Sequence, residues 1–198
     1  DDPSVLRVNA SSGRSQGSIL SGIGFVLTES EKKKFVESSE KNKEIIFPYI
    51  GGSEVNSHAL QLSDRYVISF GGMNVEGAKL WPDLFDIVKA RVKPERDGLR
   101  ADNSSARALK NNWWRFQAHR PDLYDSLKGL DRCLVAARVS KHLMFSMQPV
   151  DRVFSEQLYV FPFNSYSSFA ILQSRIHEFW AWLFSSTMRD AGIRYSTG

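Results

Sequence analysis

Residues 132–163 read RCLVAARVSKHLMFSMQPVDRVFSEQLYVFPF. Four apolar runs of strand length lie inside this stretch, at 132–139, 143–147, 153–155 and 158–163. They are rich in β-branched and aromatic residues, as pleated and partly buried segments are. The connections between them are too short for a crossover helix. Antiparallel pairing is therefore expected, with these strands forming a central sheet.

Further strands are expected upstream. Residues 65–70 (RYVISF) alternate and are β-branched and aromatic, and 22–27 (GIGFVL) form another run. Residues 44–52 are apolar and closed by glycines, but Pro48 reduces them to an edge strand or an extended connection. Helical signals surround the strands. Thr28 is placed to cap a helix with Glu29 and Glu31 in its first turn, running to about Ser39. Residues 53–57 allow one helical turn. Leu80, Leu84, Ile87, Val88 and Val92 recur near the helical period, so 75–92 is expected as a helix that Pro94 ends. Pro121 opens another helix. Residues 165–188 form the longest, with Phe169, Leu172, Ile176, Phe179, Trp180 and Leu183 as a broad apolar face. Residues 95–112 read as a flexible basic loop, 1–18 as a linker or extended entry and the segment after 188 as irregular. The class is α+β, a mixed or mainly antiparallel sheet with peripheral helices and one long C-terminal helix.

Composition bounds the function. The chain has 198 residues, 42% hydrophobic and 12% aromatic, enough for one well-buried domain over 19–198. It starts at Asp1 without Met, which reads as a fragment of a longer polypeptide. Cys133 is the single cysteine, so an internal disulfide is excluded, and its apolar neighbours make it a core thiol. No stretch resembles a signal peptide or a membrane span. A reducing, cytoplasmic setting is expected.

Charge is segregated. Residues 87–120 (IVKARVKPERDGLRADNSSARALKNNWWRFQAHR) carry nine Lys and Arg against three acids, a local +6 in a chain whose total is +4. Cations, amides and flat aromatics together suit a nucleic-acid surface, because phosphates attract cations and base edges take paired donors and acceptors. Arg107, Lys110, Asn111, Asn112, Trp113, Trp114 and Arg115 are the candidate contacts, with at least one Trp ring expected in the core. A second basic cluster, Arg138, Ser140 and Lys141, lies between two expected strands. It reads either as a phosphate-contacting turn or as a solvated hairpin tip.

Catalytic patterns are missing from the chain. Its four histidines are scattered without HxxxH spacing, and there is no GxSxG elbow, phosphate-binding loop or kinase loop. Both Pro-Asp pairs (Pro82-Asp83 and Pro121-Asp122) open helices, and the one Glu-x-Lys, Glu31 to Lys33, lies upstream of both. A metal-dependent nuclease centre is rejected, and no catalytic residue is assigned.

Collinear blocks carry a resemblance. IFPYIGG (46–52), RYVISF (65–70), WPDLFDIVKARVKPER (81–96), NNWWRF (111–116), RPDLYDSL (120–127), ARVSKHLMF (137–145), VFSEQLYVFPF (153–163) and FAILQSRIHEFWAW (169–182) resemble the target-recognition domain of MmeI-like type IIG/IIL restriction–modification enzymes, over about residues 20–195. In that bacterial family one polypeptide joins an endonuclease, an adenine-N6 DNA methyltransferase and a recognition domain. The family's glycine-rich S-adenosylmethionine motif and its Asn-Pro-Pro-Tyr motif do not occur here. The resemblance implies a sequence-specific double-stranded DNA recognition module that positions a target adenine for a methyltransferase domain, and cleavage by a nuclease domain, both outside this chain. S-adenosylmethionine and Mg are then expected of the parent enzyme, with no cofactor in this fragment. It also implies DNA contact at the 111–115 block and at Arg138, Ser140 and Lys141. The alternative is a protein-interaction or structural module docking on a larger enzyme. That alternative expects an exposed patch at Trp182 and Phe184 and a dispersed basic strip.

Overall fold

The structure, a computed structural model, describes residues 15–100, 102–188 and 192–195. Most of the expected linker, 1–14, lies outside the described residues. Its last part is extended: β1 (Ser15–Gln16) is a strand, and Ser18 bridges Ser155 in parallel. The first half of the fold then runs β2 (Val26–Thr28), α1 (Glu29–Ser38), a 3-10 turn at Glu40–Glu44, β3 (Ile46–Ile50), α2 (Gly52–Ser57), β4 (Arg65–Ile68), α3 (Val75–Ala78) and α4 (Pro82–Asp97). The start of α1 is set by a capping box. Thr28 Oγ1 accepts from the Glu31 N–H at 3.2 Å, and Glu31 Oε2 accepts from the Thr28 N–H at 2.9 Å. The expected helix over 75–92 is two helices, because Pro82 takes the first position of a new one. Pro94 does not end α4. Near the C-terminus its missing N–H forfeits only one ladder bond, and burial of Val92 and Arg96 carries the helix to Asp97.

The second half runs α5 (Ser104–Asn111), α6 (Pro121–Ser126), β5 (Arg132–Ala137), β6 (Val139–Ser140), β7 (Phe145–Pro149), β8 (Val153–Phe154), β9 (Leu158–Phe161), α7 (Tyr166–Leu172), α8 (Arg175–Phe184), β10 (Ser186–Met188) and β11 (Gly192–Arg194). Three expectations fail here. The basic loop contains α5, capped by Asn103 Oδ1 on the Ala106 N–H at 2.8 Å. The long C-terminal helix is broken at Gln173, because Ser174 caps a fresh helix by accepting from the His177 N–H at 3.2 Å. The segment then ends in a strand pair rather than an irregular tail.

Three sheets result, in the orders β2-β4-β3-β8, β1-β9-β5-β7 and β10-β11-β6. The antiparallel pairing expected around 132–163 holds for β7-β5-β9. β8 departs from it and joins β3 in parallel on the other sheet. β3 is therefore internal despite Pro48. That proline sits where the β4 ladder (Ile46–Pro48) gives way to the β8 ladder (Tyr49–Ile50), the point at which a missing donor costs least.

β5 explains why the sheets stack as they do. Its residues alternate between two cores: Cys133, Val135 and Ala137 join Ile50, Phe154 and Leu158, while Leu134 and Ala136 join Phe145, Phe161 and Tyr195. A strand buried on both faces reads as a continuous apolar run, which RCLVAA is. Burial pushes the Cys133 thiol up to about 12, so it is an inert core residue, as expected. A third core lies under the first sheet, where α4 packs Leu84, Val88 and Val92 against Phe25, Leu27 and Val67.

Candidate nucleic-acid interface

The most basic stretch of the sequence is largely taken up by the fold. Arg96 is 2% exposed. Its guanidinium reaches across to the 112–115 segment, where Nη1 donates to the carbonyls of Trp113 at 3.1 Å and Arg115 at 2.6 Å. Nη2 donates to Leu20 O at 2.9 Å, and the guanidinium carbon lies 5.2 Å from the Phe25 ring centre. Burial lowers its pKa from the ordinary value, yet a guanidinium remains charged, and carbonyls replace water at its two terminal nitrogens while Nε is buried without a protein partner. Arg91 pairs with Glu31, and Lys93 with Asp97.

The Trp block behaves likewise. Trp114 is 8% exposed and its Nε1 donates to Met73 O at 3.0 Å. Trp113 is half-buried, edge-on to Trp114 at 5.9 Å and against Phe85 at 5.1 Å. Arg115 donates from Nε to Met73 O at 2.8 Å and from Nη2 to Gly72 O at 2.9 Å. Asn112 ends α5 with its Nδ2 on Ala108 O at 3.1 Å. The side chains of Asn112, Trp114 and Arg115 bond the protein's own backbone, and Trp113 packs on other rings. Arg107, Lys110 and Asn111 fall at i, i+3 and i+4 on α5. They share one face, with Arg107 and Asn111 exposed and Lys110 half-buried.

The other candidate cluster sits elsewhere in the fold. Between β5 and β6 the chain passes from the second sheet to the third, and Arg138 is the crossing point. Its N–H donates to Gln157 O at 2.9 Å and its carbonyl accepts from the Tyr195 N–H at 3.1 Å. The Arg138 guanidinium donates to Glu156 O at 3.2 Å and lies 5.7 Å from the Tyr159 ring centre. Its Nε is buried without a protein partner. Ser140 pairs with Ile193 of β11 and its Oγ accepts from the His142 N–H at 3.3 Å, while Lys141 is exposed in the turn. The turn is not a simple hairpin tip, because β6 pairs with β11 rather than with β7.

That pairing sets Arg194 opposite Val139 and beside Arg138. The two arginines line a cleft of about 670 Å³, with Gly52, Ser53, Asn56 and Ser57 of α2 on one wall and Glu156 and Gln157 of the β8–β9 turn on another. Arg194, Asn56 and Gln157 were not among the expected contacts. The alternation Gly192-Ile193-Arg194-Tyr195 was the available signal for Arg194. The helical turn expected at 53–57 is α2, but nothing local marked its place beside the arginines, which depends on the β3–β8 pairing. Among the described residues no group of three or more His, Cys, Asp or Glu is placed to hold a metal ion, and no helix is long and apolar enough to cross a membrane.

A family model described as MmeI, target recognition domain, matches residues 14–198. The chain belongs to this family of target recognition domains. Among solved structures it is similar to the Type IIL restriction-modification enzyme MmeI in complex with DNA, with a TM-score of 0.66 and 17% identity. That match covers 94% of this chain and 23% of the other, so the chain spans about a quarter of that enzyme. No curated protein matches the chain. Within the target recognition domain the arginine cleft and the outer face of α5 both present cations to solvent beside neutral polar groups.

Proposed function

We propose that this target recognition domain binds double-stranded DNA sequence-specifically within a restriction–modification polypeptide. There it positions a target adenine for a methyltransferase domain, and the duplex for a nuclease domain, that lie outside this chain. S-adenosylmethionine and Mg would serve those domains, and the setting would be cytoplasmic. The observation that carries the reading is the cleft. Two arginines and four neutral polar side chains meet there with a single carboxylate, Glu156, where the chain crosses between two sheets, in a family whose solved member is bound to DNA. Cations attract the backbone, and amides and hydroxyls offer the donors and acceptors that base edges need. Lys141 extends the cationic rim, and Arg107, Lys110 and Asn111 form a separate patch for the flanking duplex. Binding of the chain to duplex DNA across a salt series tests this: affinity falls as salt rises, and an affinity independent of salt contradicts it.

A second observation favours docking as an additional role. Ile171, Ile176, Phe179, Trp180 and Leu183 of α7 and α8 are more than half exposed, and Trp182 is partly so; the Phe184 side chain lies outside what is described. An apolar face of this size marks an interaction surface. We propose that it packs on another part of the longer polypeptide. Hydrogen exchange at α8 should be slower in the full polypeptide than in this chain alone, and equal exchange would reject the contact.

A further inference from the structure

Helix α2 carries a polar face without charge beside a cationic cleft. Ser53, Asn56 and Ser57 stand at i, i+3 and i+4, so they share one side of the helix, and all three are exposed. All three line the cleft with Arg138 and Arg194. The opposite side buries Gly52 and Val55.

The helix is held firmly. Glu54 pairs with Arg65, and its Oε2 accepts from the Gly51 N–H at 2.8 Å. Burial raises the Glu54 carboxyl, but backbone donors at Glu54 and Gly51 together with Arg65 outweigh it, and the net shift is downward. Gln157 Oε1 accepts from the Gly52 N–H at 3.1 Å. That bond engages the oxygen of one carboxamide of the cleft. The other, Asn56, makes only a long bond of 3.3 Å from Nδ2 to Val139 O.

A carboxamide adds nothing to phosphate attraction. It offers a donor and an acceptor side by side, which matches the major-groove edge of adenine. The far side of α2 sharpens the geometry. Ser53 and Ser57 also border a second groove, lined by Glu29, Glu54 and Asp64. Three carboxylates and no lysine or arginine line that groove, whereas in the arginine cleft Glu156 faces two cations, so a phosphate backbone is drawn to α2 from the arginine side.

Resting on the DNA-recognition reading above, we infer that the Ser53–Asn56–Ser57 face of α2 reads base edges. Asn56 is the specificity-determining residue, its carboxamide paired with an adenine, and Arg138 and Arg194 hold flanking phosphates. Selection of the full chain against a randomised duplex library, followed by affinity measurements on the selected and unselected duplexes, tests the assignment. The wild-type chain is expected to select a site with a fixed adenine. Asn56→Ala should lower affinity for that duplex relative to unselected duplex by on the order of tenfold or more. Asn56→Asp should move the preference at that position from adenine toward cytosine, because a carboxylate only accepts and the cytosine amine donates. Both variants keeping the wild-type preference at every position would overturn the assignment. So would wild-type binding with no base preference, which leaves DNA binding itself standing. Failure of the wild-type chain to bind any duplex at low salt would overturn the DNA reading as well.

Discussion

Arg96 lies in the most basic stretch of the sequence, and Arg138 lies in a second, smaller basic cluster. Both guanidiniums donate to backbone carbonyls, yet they differ in what else they face. Arg96 is enclosed, with bonds to two separate segments that α4 holds together. Arg138 makes one described carbonyl bond and opens onto a cleft shared with Arg194 and α2. The difference teaches that the density of charge along a sequence does not locate a polyanion site. What decides is whether each cation is already surrounded by acceptors of its own fold.

The comparison breaks most sharply at Arg96. Arg96→Ala is expected to destabilise the chain by more than about 3 kcal/mol in chemical denaturation, because it leaves several buried carbonyls without donors. Arg96→Lys should rescue little, since one ammonium cannot span both segments. A loss below about 1 kcal/mol would show that the enclosed arginine is not structural. Trp114→Ala should cost about 3–5 kcal/mol through lost ring burial and the lost bond to Met73. A variant of normal stability that binds duplex poorly would return that ring to the interface.

A smaller effect concerns His119, which stacks on Phe116 at 6.2 Å and whose pKa burial lowers. The unfolded histidine takes up its proton near its ordinary value of about 6.5, above the folded one. Stability should therefore be fully present above that value and decline as pH falls through it toward the folded pKa. His119→Gln should flatten the decline, and an unchanged profile would remove His119 as its source. The smallest effect is chemical: with its pKa near 12, Cys133 should resist alkylation at neutral pH in the folded chain and react only on unfolding.

Much of the fold was legible where a local rule acted alone. Thr28 with Glu31, and Pro121 at a helix start, needed no tertiary information. RCLVAA was legible as a strand, and only the structure shows it buried on both faces. What escaped were choices made by tertiary context. Asn103 and Ser174 are caps hidden inside segments that polarity or apolar spacing made to look continuous. Pro48 is tolerated internally only because two ladders change over at it. The site was less legible. Arg138 and Lys141 were visible as a basic cluster. Their partner Arg194 comes from a strand about 55 residues on, a long-range pairing with no periodicity to announce it. Trp113, Trp114 and Arg115 were ambiguous in the sequence because large aromatics and arginine suit a core and an interface equally well, and the ring expected in the core is Trp114.

The most direct measurement is the salt dependence of duplex affinity for Arg138→Ala beside Arg115→Ala. If DNA is held at the cleft, Arg138→Ala weakens binding to all duplexes and lowers the slope of log affinity against log salt by about one. Arg115→Ala, whose donors serve Gly72 and Met73, should lower stability and leave the slope of the folded chain unchanged. The reverse pattern, with the slope reduced by Arg115→Ala and untouched by Arg138→Ala, would contradict the account and return the interface to the Trp block.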